Sequence, residues 1–193
     1  CQMVFANAHK NVAPSGYLKK AFESEGFTNV IYIPNSIEIE KYKFKERIEF
    51  APRLLWVRAF ASIYNPEMAV KVLQQLQEKH PSASLTMVGP DKDGSLKTTK
   101  DFADSIGVAV NFTGQLAKED WWKLASEHDI FINTTHFDNT PISVMEAMAL
   151  GLPVVSTNVG GIPHLLTDKE NALLVSDNDV SKMTDAICSL LED

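Results

Sequence analysis

Two carboxylates and one guanidinium carry most of the chemistry legible in this chain. Asp138 and Glu146 are separated by seven intervening residues in the run HFDNTPISVMEAMALGLPVVSTNVGGIPHLL, residues 136–166. Asp138 lies in a loop closed by Pro141. The apolar residues that follow (Ile142, Met145 and Ala149, with Ala147 and Met148 between) have the 3.6-residue period of a helix, and Gly151 ends it. A helix is therefore expected to begin near Pro141. Proline suits the first helical position, and Thr140 before it can cap the free backbone N–H groups, leaving a positive dipole end that suits a phosphate. Glu146 sits more than one turn in. A carboxylate inside an apolar stretch is costly to bury unless it accepts hydrogen bonds, and vicinal ribose hydroxyls are donors of the right kind. The plainer alternative is a solvent-facing Glu146. Arg58 follows the apolar run 54–57 directly, which places its guanidinium at the carboxyl edge of a sheet, where ligands bind in open α/β folds. A surface ion pair is its alternative reading.

Other chemistries find little support. Ser15 and Ser143 lack the context of a nucleophile elbow, and no Ser/His/Asp or Cys/His set is evident. Gly160-Gly161 has the look of a phosphate-facing turn, but no GxGxxG fingerprint is present. The histidines are scattered, and none has a partner at metal-ligand spacing, so no metal site is expected. Trp121 and Trp122 could form a sugar-stacking platform, yet at helical spacing one ring is expected in the core and the other half exposed.

The 193 residues, 45% of them apolar, suffice for one substantial core and are short for two. The net charge of −7, without a Lys/Arg stripe, argues against nucleic acid as a partner. It does not exclude an anionic ligand, because local donors outweigh the total. Cys1 and Cys188 are too few for a disulfide framework, which suits a reducing cytoplasmic setting. No apolar run approaches the roughly 18 residues of a membrane span, and no signal peptide is visible. The chain starts at Cys1, and residues 2–6 read as the tail of a strand already under way, so a piece of a longer protein is expected.

Strand and helix patterns alternate along the chain, which argues for a Rossmann-like parallel sheet covered by helices on both faces. A helix over 15–26, capped by Ser15 and stopped by Gly26, leads into a strand at 30–34 and the turn Pro34-Asn35-Ser36. Residues 38–52 are charged and unpatterned, as in a linker. Strands are expected at 54–57, 84–88, 108–112, 130–134, 154–157 and 171–175. Helices are expected at 66–80 (with Met68, Val72 and Leu76 on one stripe), 95–106, 117–127 and 179–191. The loop 91–95 is polar and expected to be mobile.

The run Asp138, Glu146-Ala147-Met148-Ala149, Gly151, Pro153-Val154-Val155 and Gly160-Gly161 resembles the retaining GT-B glycosyltransferases of family 4 (glycosyl transferases group 1). The hallmark of that family is an acid, seven residues, a Glu, an EAMA-G-PVV run and a GG loop. The resemblance extends to the helix begun at Ser15, the turn at Pro34-Asn35, Arg58 after its strand, Gly89 at a strand end and the turn Thr113-Gly114-Gln115-Leu116. It departs from the family at Asp138, where Glu is usual, at Ser36 in place of Gly, and at Pro163-His164, where a Glu often follows the GG pair. Around the family's Lys after Arg58, this chain has Ile63, Tyr64 and Asn65.

The resemblance implies that Asp138 contacts the transferred sugar and that Arg58 lies near the diphosphate, these two being the catalytic candidates. It implies that Thr140, Pro141 and Ile142 form the helix start that holds the diphosphate, with Tyr64 or Asn65 as further donors. Glu146 would bind ribose, while Gly89, Gly114, Gln115 and Leu116 would border the base. His136 would be a polar neighbour of the sugar. Residues 1–33 would end an N-terminal acceptor domain and its crossover, and residues 34–193 would form the donor domain. The implied reaction moves a hexose from a nucleoside diphosphate sugar to an acceptor hydroxyl with retention, in cell-surface polysaccharide or glycan synthesis, and needs no cofactor or metal. The setting would be cytoplasmic, with peripheral attachment of the full-length protein to the inner membrane face as a variant of it. Two other classes remain open: a GT-B-fold sugar-nucleotide epimerase, and a non-catalytic sugar-nucleotide binding module.

Overall fold

The computed structural model describes residues 2–192. The chain opens with helix α1 (Gln2–Asn7), where a strand was expected. A short apolar run does not distinguish the two states by period. Helical spacing lays Phe5 against Phe22 and Phe27, with ring centroids 5.0 and 5.8 Å away. The extended segment comes later, as β1 (Asn11–Ala13), which pairs in parallel with β2 (Val30–Tyr32) in a separate two-stranded sheet. Between them runs α2 (Gly16–Ser24), whose Ser15 hydroxyl accepts from the Leu18 N–H at 3.0 Å; Gly26, at φ +88°, turns the chain out of it.

The principal sheet has six parallel strands: β3 (Arg53–Val57), β4 (Ser84–Val88), β5 (Asn111–Gly114), β6 (Ile130–Asn133), β7 (Val154–Thr157) and β8 (Leu173–Val175). Their spatial order is β5-β4-β3-β6-β7-β8. The chain therefore builds outward from β3 through β4 to β5, then returns beside β3 and builds the other way. Between β3 and β6 the order of winding reverses, and such a switch point, outside the carboxyl ends of the strands, is where open α/β sheets bind ligands.

Helices cover both faces, because a parallel sheet must bury both. Alternation along β3 divides the core: Leu54 and Trp56 pack with Met68, Val72 and Leu76 of α3 (Pro66–Lys79) and with Met183 and Ile187 of α7 (Val180–Glu192). Leu55 points the other way, to Trp121 of α5 (Lys118–Ala125) and to Val144 and Ala147 of α6 (Ile142–Ala149). Trp121 is buried and Trp122 half-buried, as their spacing predicts. The remaining helix, α4 (Ser95–Ser105), lies beside α3 and begins after the loop 91–95, where the Asp91 carboxylate accepts from the Gly94 N–H at 2.9 Å.

The segment 38–52 is irregular apart from one 3-10 turn at Ile39–Lys41, but it is firmly attached. The Arg47 guanidinium donates to the carbonyls of Ala125, His128 and Leu150 at 2.9–3.0 Å. These oxygens lie at and just beyond the carboxyl ends of α5 and α6, where a cation complements the helix dipoles.

Candidate functional site

The reversal between β3 and β6 brings two of the three singled-out charges together. Arg58 leaves the end of β3 and Asp138 sits in the loop after β6. Arg58 Nη2 donates to Asp138 Oδ2 with both side chains largely buried. Beneath the guanidinium lies the Tyr64 ring, its centroid 4.1 Å from Cζ. Burial lowers the Arg58 pKa from its ordinary value and Tyr64 offsets part of that, so the group stays cationic. Its Nε is buried without a partner. An unpaired buried donor costs free energy that an incoming acceptor would recover.

The Asp138 loop is held from two sides. Gly161 donates its N–H to the Asp138 carbonyl at 2.8 Å, and a Cβ there would stand 1.8 Å from the Asn139 carbonyl. At Gly160, φ is +53° and a Cβ would meet the Asp138 carbonyl at 2.3 Å. The GG pair thus presses on the backbone of the acid loop. From the other side, Ser15 bonds Asn139, and the Thr140 hydroxyl donates to the Pro14 carbonyl at 3.2 Å.

That last bond corrects the expected cap. Thr140 is engaged with the N-terminal segment, and Pro141 (φ −71°, ψ 110°) occupies the N-cap position rather than the first helical one. No side chain caps α6, so its first turn keeps donors for an anion. The Ser143 hydroxyl in that turn is likewise buried without a partner.

Glu146 is 3% exposed, so the solvent-facing alternative fails. Its Oε1 accepts from the Tyr42 hydroxyl at 2.9 Å and from the Lys118 ammonium at 3.0 Å. Burial, then the Glu146 bond, pushes the Tyr42 phenol well above its usual range, which keeps it a neutral donor. Tyr42 also packs on Trp122, with centroids 4.6 Å apart.

Two open cavities share Lys118 in their linings. One, of 270 Å³, is lined by Arg58, Gly89, Gln115, Leu116, Lys118 and Ser143 among others. Its neighbour, of 290 Å³, is lined by Tyr42, Lys118 and Ile142 among others. Gly89 (φ +153°) shapes the first: a Cβ would stand 1.8 Å from the Arg58 carbonyl, and its N–H donates to the Gly114 carbonyl at 2.9 Å. Gly114, at φ +71°, turns the chain toward Gln115 and Leu116.

Two candidates fall elsewhere. His136 pairs through Nδ1 with Asp177 at 2.8 Å and does not line the Arg58 cavity. Asn65, at φ +48°, heads α3 and bonds Asn178. Among the described residues no group of three or more His, Cys, Asp and Glu could hold a metal ion. Reading the sequence misses Lys118 and Tyr42. Lys118 opens the helix after the Gly114-Gln115-Leu116 turn and Tyr42 lies in a segment without pattern, so neither has a motif of its own.

The open parallel α/β sheet, with opposed charges at its switch point, has the form found in GT-B glycosyltransferases. The chain belongs to the glycosyl transferases group 1 family, which it matches over residues 38–193. It is 24% identical over 173 residues to glycogen synthase of Mycobacterium tuberculosis, a match covering 87% of this chain and 41% of that enzyme. It is 25% identical to the same organism's GDP-mannose-dependent alpha-(1-6)-phosphatidylinositol monomannoside mannosyltransferase, covering 98% of this chain and 50% of that one. Among solved structures it superposes on Anabaena HepE in complex with UDP and glucose with a TM-score of 0.87 at 21% identity, covering all of this chain and 56% of HepE. The chain thus spans about half the length, or less, of the relatives it matches. Among the described residues no helix is long and apolar enough to cross a membrane.

Proposed function

We propose that this chain is the donor-binding half of a retaining, family 4 GT-B glycosyltransferase that moves a hexose from a nucleoside diphosphate sugar to an acceptor hydroxyl in cell-surface polysaccharide or glycan synthesis. The observation that carries the reading is the Arg58–Asp138 pair at the β3/β6 reversal, beside an uncapped α6 whose buried Glu146 faces no solvent. Arg58 and the α6 start would stabilise the diphosphate as its bond to the sugar breaks, electrostatic help of the kind that is worth roughly 3 kcal/mol per well-placed donor. Asp138 would accept from hydroxyls of the sugar, and Glu146 from those of the ribose. Gln115 and Leu116 would border the base. The separate β1–β2 sheet fits a remnant of the acceptor domain, with the boundary near residue 33. The setting would be cytoplasmic, the full-length protein working there or at the inner membrane face.

This reading gives the leaving group's charge to protein donors rather than to a metal, so turnover by the full-length enzyme is expected to survive EDTA. Incubation of that enzyme with a panel of nucleotide sugars, followed by NMR of the product, tests the rest. A glycoside with the donor's anomeric configuration is expected. An isomerised sugar nucleotide would instead indicate an epimerase, and intact donor a binding module.

The two acids should separate in calorimetry. Glu146→Gln is expected to weaken every ribonucleotide, with or without a sugar, by about 1 to 3 kcal/mol, the range for a spoiled bond to a charged group. Asp138→Asn should leave free nucleoside diphosphate binding undiminished, since it removes a carboxylate that shares Arg58, while weakening the sugar nucleotide. Equal losses of free nucleotide in both variants would contradict the assignment of sugar and ribose roles.

A further inference from the structure

Charge in the Arg58 cavity is fully paired: Arg58 with Asp138, and Lys118 with Glu146. A nucleoside diphosphate brings several negative charges, and Arg58 alone is a single cation already shared with a carboxylate. Of the residues lining the 270 Å³ cavity, only Arg58 and Lys118 are cationic and none is acidic. Lys118 also lines the adjoining 290 Å³ cavity, so it stands at the junction of the two. Its side chain is 61% exposed and its partner's 4%, so the lysine is the partner free to move.

We propose that Lys118 is the second cation of the diphosphate site and that nucleotide binding exchanges its partner. Without nucleotide, the ammonium neutralises the buried Glu146 carboxylate. When ribose hydroxyls arrive at that carboxylate, they replace the ammonium as donors, and the long side chain turns to the phosphates beside Arg58. The exchange leaves the buried carboxylate hydrogen-bonded in either state, by the ammonium and Tyr42 without nucleotide and by Tyr42 and the ribose hydroxyls with it. Position supports it: Lys118 opens α5 directly after the Gly114-Gln115-Leu116 turn that borders the same cavity.

The inference rests on the donor-site reading and is tested so that the two can fail separately. Binding of uridine, UMP, UDP and inorganic pyrophosphate, with the adenine and guanine series in parallel, is measured by calorimetry on the 193-residue chain and on Lys118→Met and Lys118→Arg. Methionine keeps the apolar stem but leaves the buried Glu146 carboxylate with only the Tyr42 hydroxyl as donor, so some loss of stability should accompany it, and circular dichroism checks that the variant is folded. Lys118→Met is expected to weaken the diphosphate about tenfold, the lower end for one charge-assisted contact. The monophosphate should lose less and the nucleoside less than about twofold, and Lys118→Arg should restore most of the diphosphate affinity. An equal loss across nucleoside, monophosphate and diphosphate would overturn the proposal, because Lys118 would then act only through Glu146. Wild-type affinity that rises with phosphate number, but is unchanged in Lys118→Met, would overturn it while sparing the donor-site reading. If the wild-type chain bound none of the probes, both would fall.

Discussion

Arg58→Ala is expected to weaken nucleoside diphosphate binding by about 10- to 100-fold while leaving nucleoside binding within about twofold. The range follows from the loss of a charge-assisted contact worth roughly 1.5 to 3 kcal/mol. Here the effect should lie toward the upper end, because the guanidinium is largely buried and its Nε already lacks a partner. Removing it also leaves Asp138 without its cation, so some loss of stability should accompany the loss of binding. Arg58→Lys separates the two effects: it keeps a charge near Asp138 but not the planar fork that stacks on Tyr64. Calorimetry with matched nucleoside and nucleoside diphosphate is the measurement. Equal losses for both ligands would make Arg58 a purely structural residue.

Gly89→Ala should show the largest effect on stability, about 3 kcal/mol, or roughly a 10 °C fall in melting temperature for a domain of this size. Two causes combine. The residue sits at φ +153°, a conformation that suits glycine, and a Cβ there would stand 1.8 Å from the carbonyl of Arg58, a residue held by its N–H bond to the Val88 carbonyl at 3.0 Å. The ends of β3 and β4 would have to part, moving Arg58 with them. A thermal melt reads the effect, and an unchanged midpoint would mean that the β3–β4 edge yields readily. Gly26→Ala is the control. It too has positive φ, but a Cβ there meets nothing within 4 Å, so it should cost only the backbone strain.

Much of the sheet was legible where a strand pairs apolar burial with a clear stop; β5, which buries no residue fully, lies at Asn111–Gly114 rather than at the expected 108–112. The run 84–88 ends at Gly89, and 154–157 follows Pro153; both are strands at those bounds. The α3 stripe of Met68, Val72 and Leu76 is buried as its period requires. Local pattern failed where long-range contacts decide. Residues 2–7 are helical because Phe5 finds Phe22 and Phe27, and Asn11–Ala13 is too short to announce a strand before Val30 pairs with it. Thr140 has the chemistry of a cap, yet the Pro14 carbonyl claims its hydroxyl from far away in sequence.

The site divides in the same way. Asp138, Glu146 and Arg58 were visible from residue type and spacing, and the fold brings Arg58 to Asp138. The partners of Glu146 were not visible. Tyr42 and Lys118 reach it across 104 and 28 residues of sequence, from a segment and a helix start with no motif of their own. The missing side chains of the GG pair make room for the backbone of the Asp138 loop, a contact that the run itself does not announce.

The central claim, that the cavity beside Arg58 holds the diphosphate of a nucleoside diphosphate sugar, is tested most directly by titrating the 193-residue chain with nucleoside diphosphates and their sugar conjugates in the uracil, adenine and guanine series. At least one series should saturate at one site per chain, with diphosphate bound more tightly than monophosphate. That preference should be lost in Arg58→Ala. Absence of binding in all three series at millimolar ligand by a chain shown to be folded, or binding that Arg58→Ala leaves intact, would contradict the account.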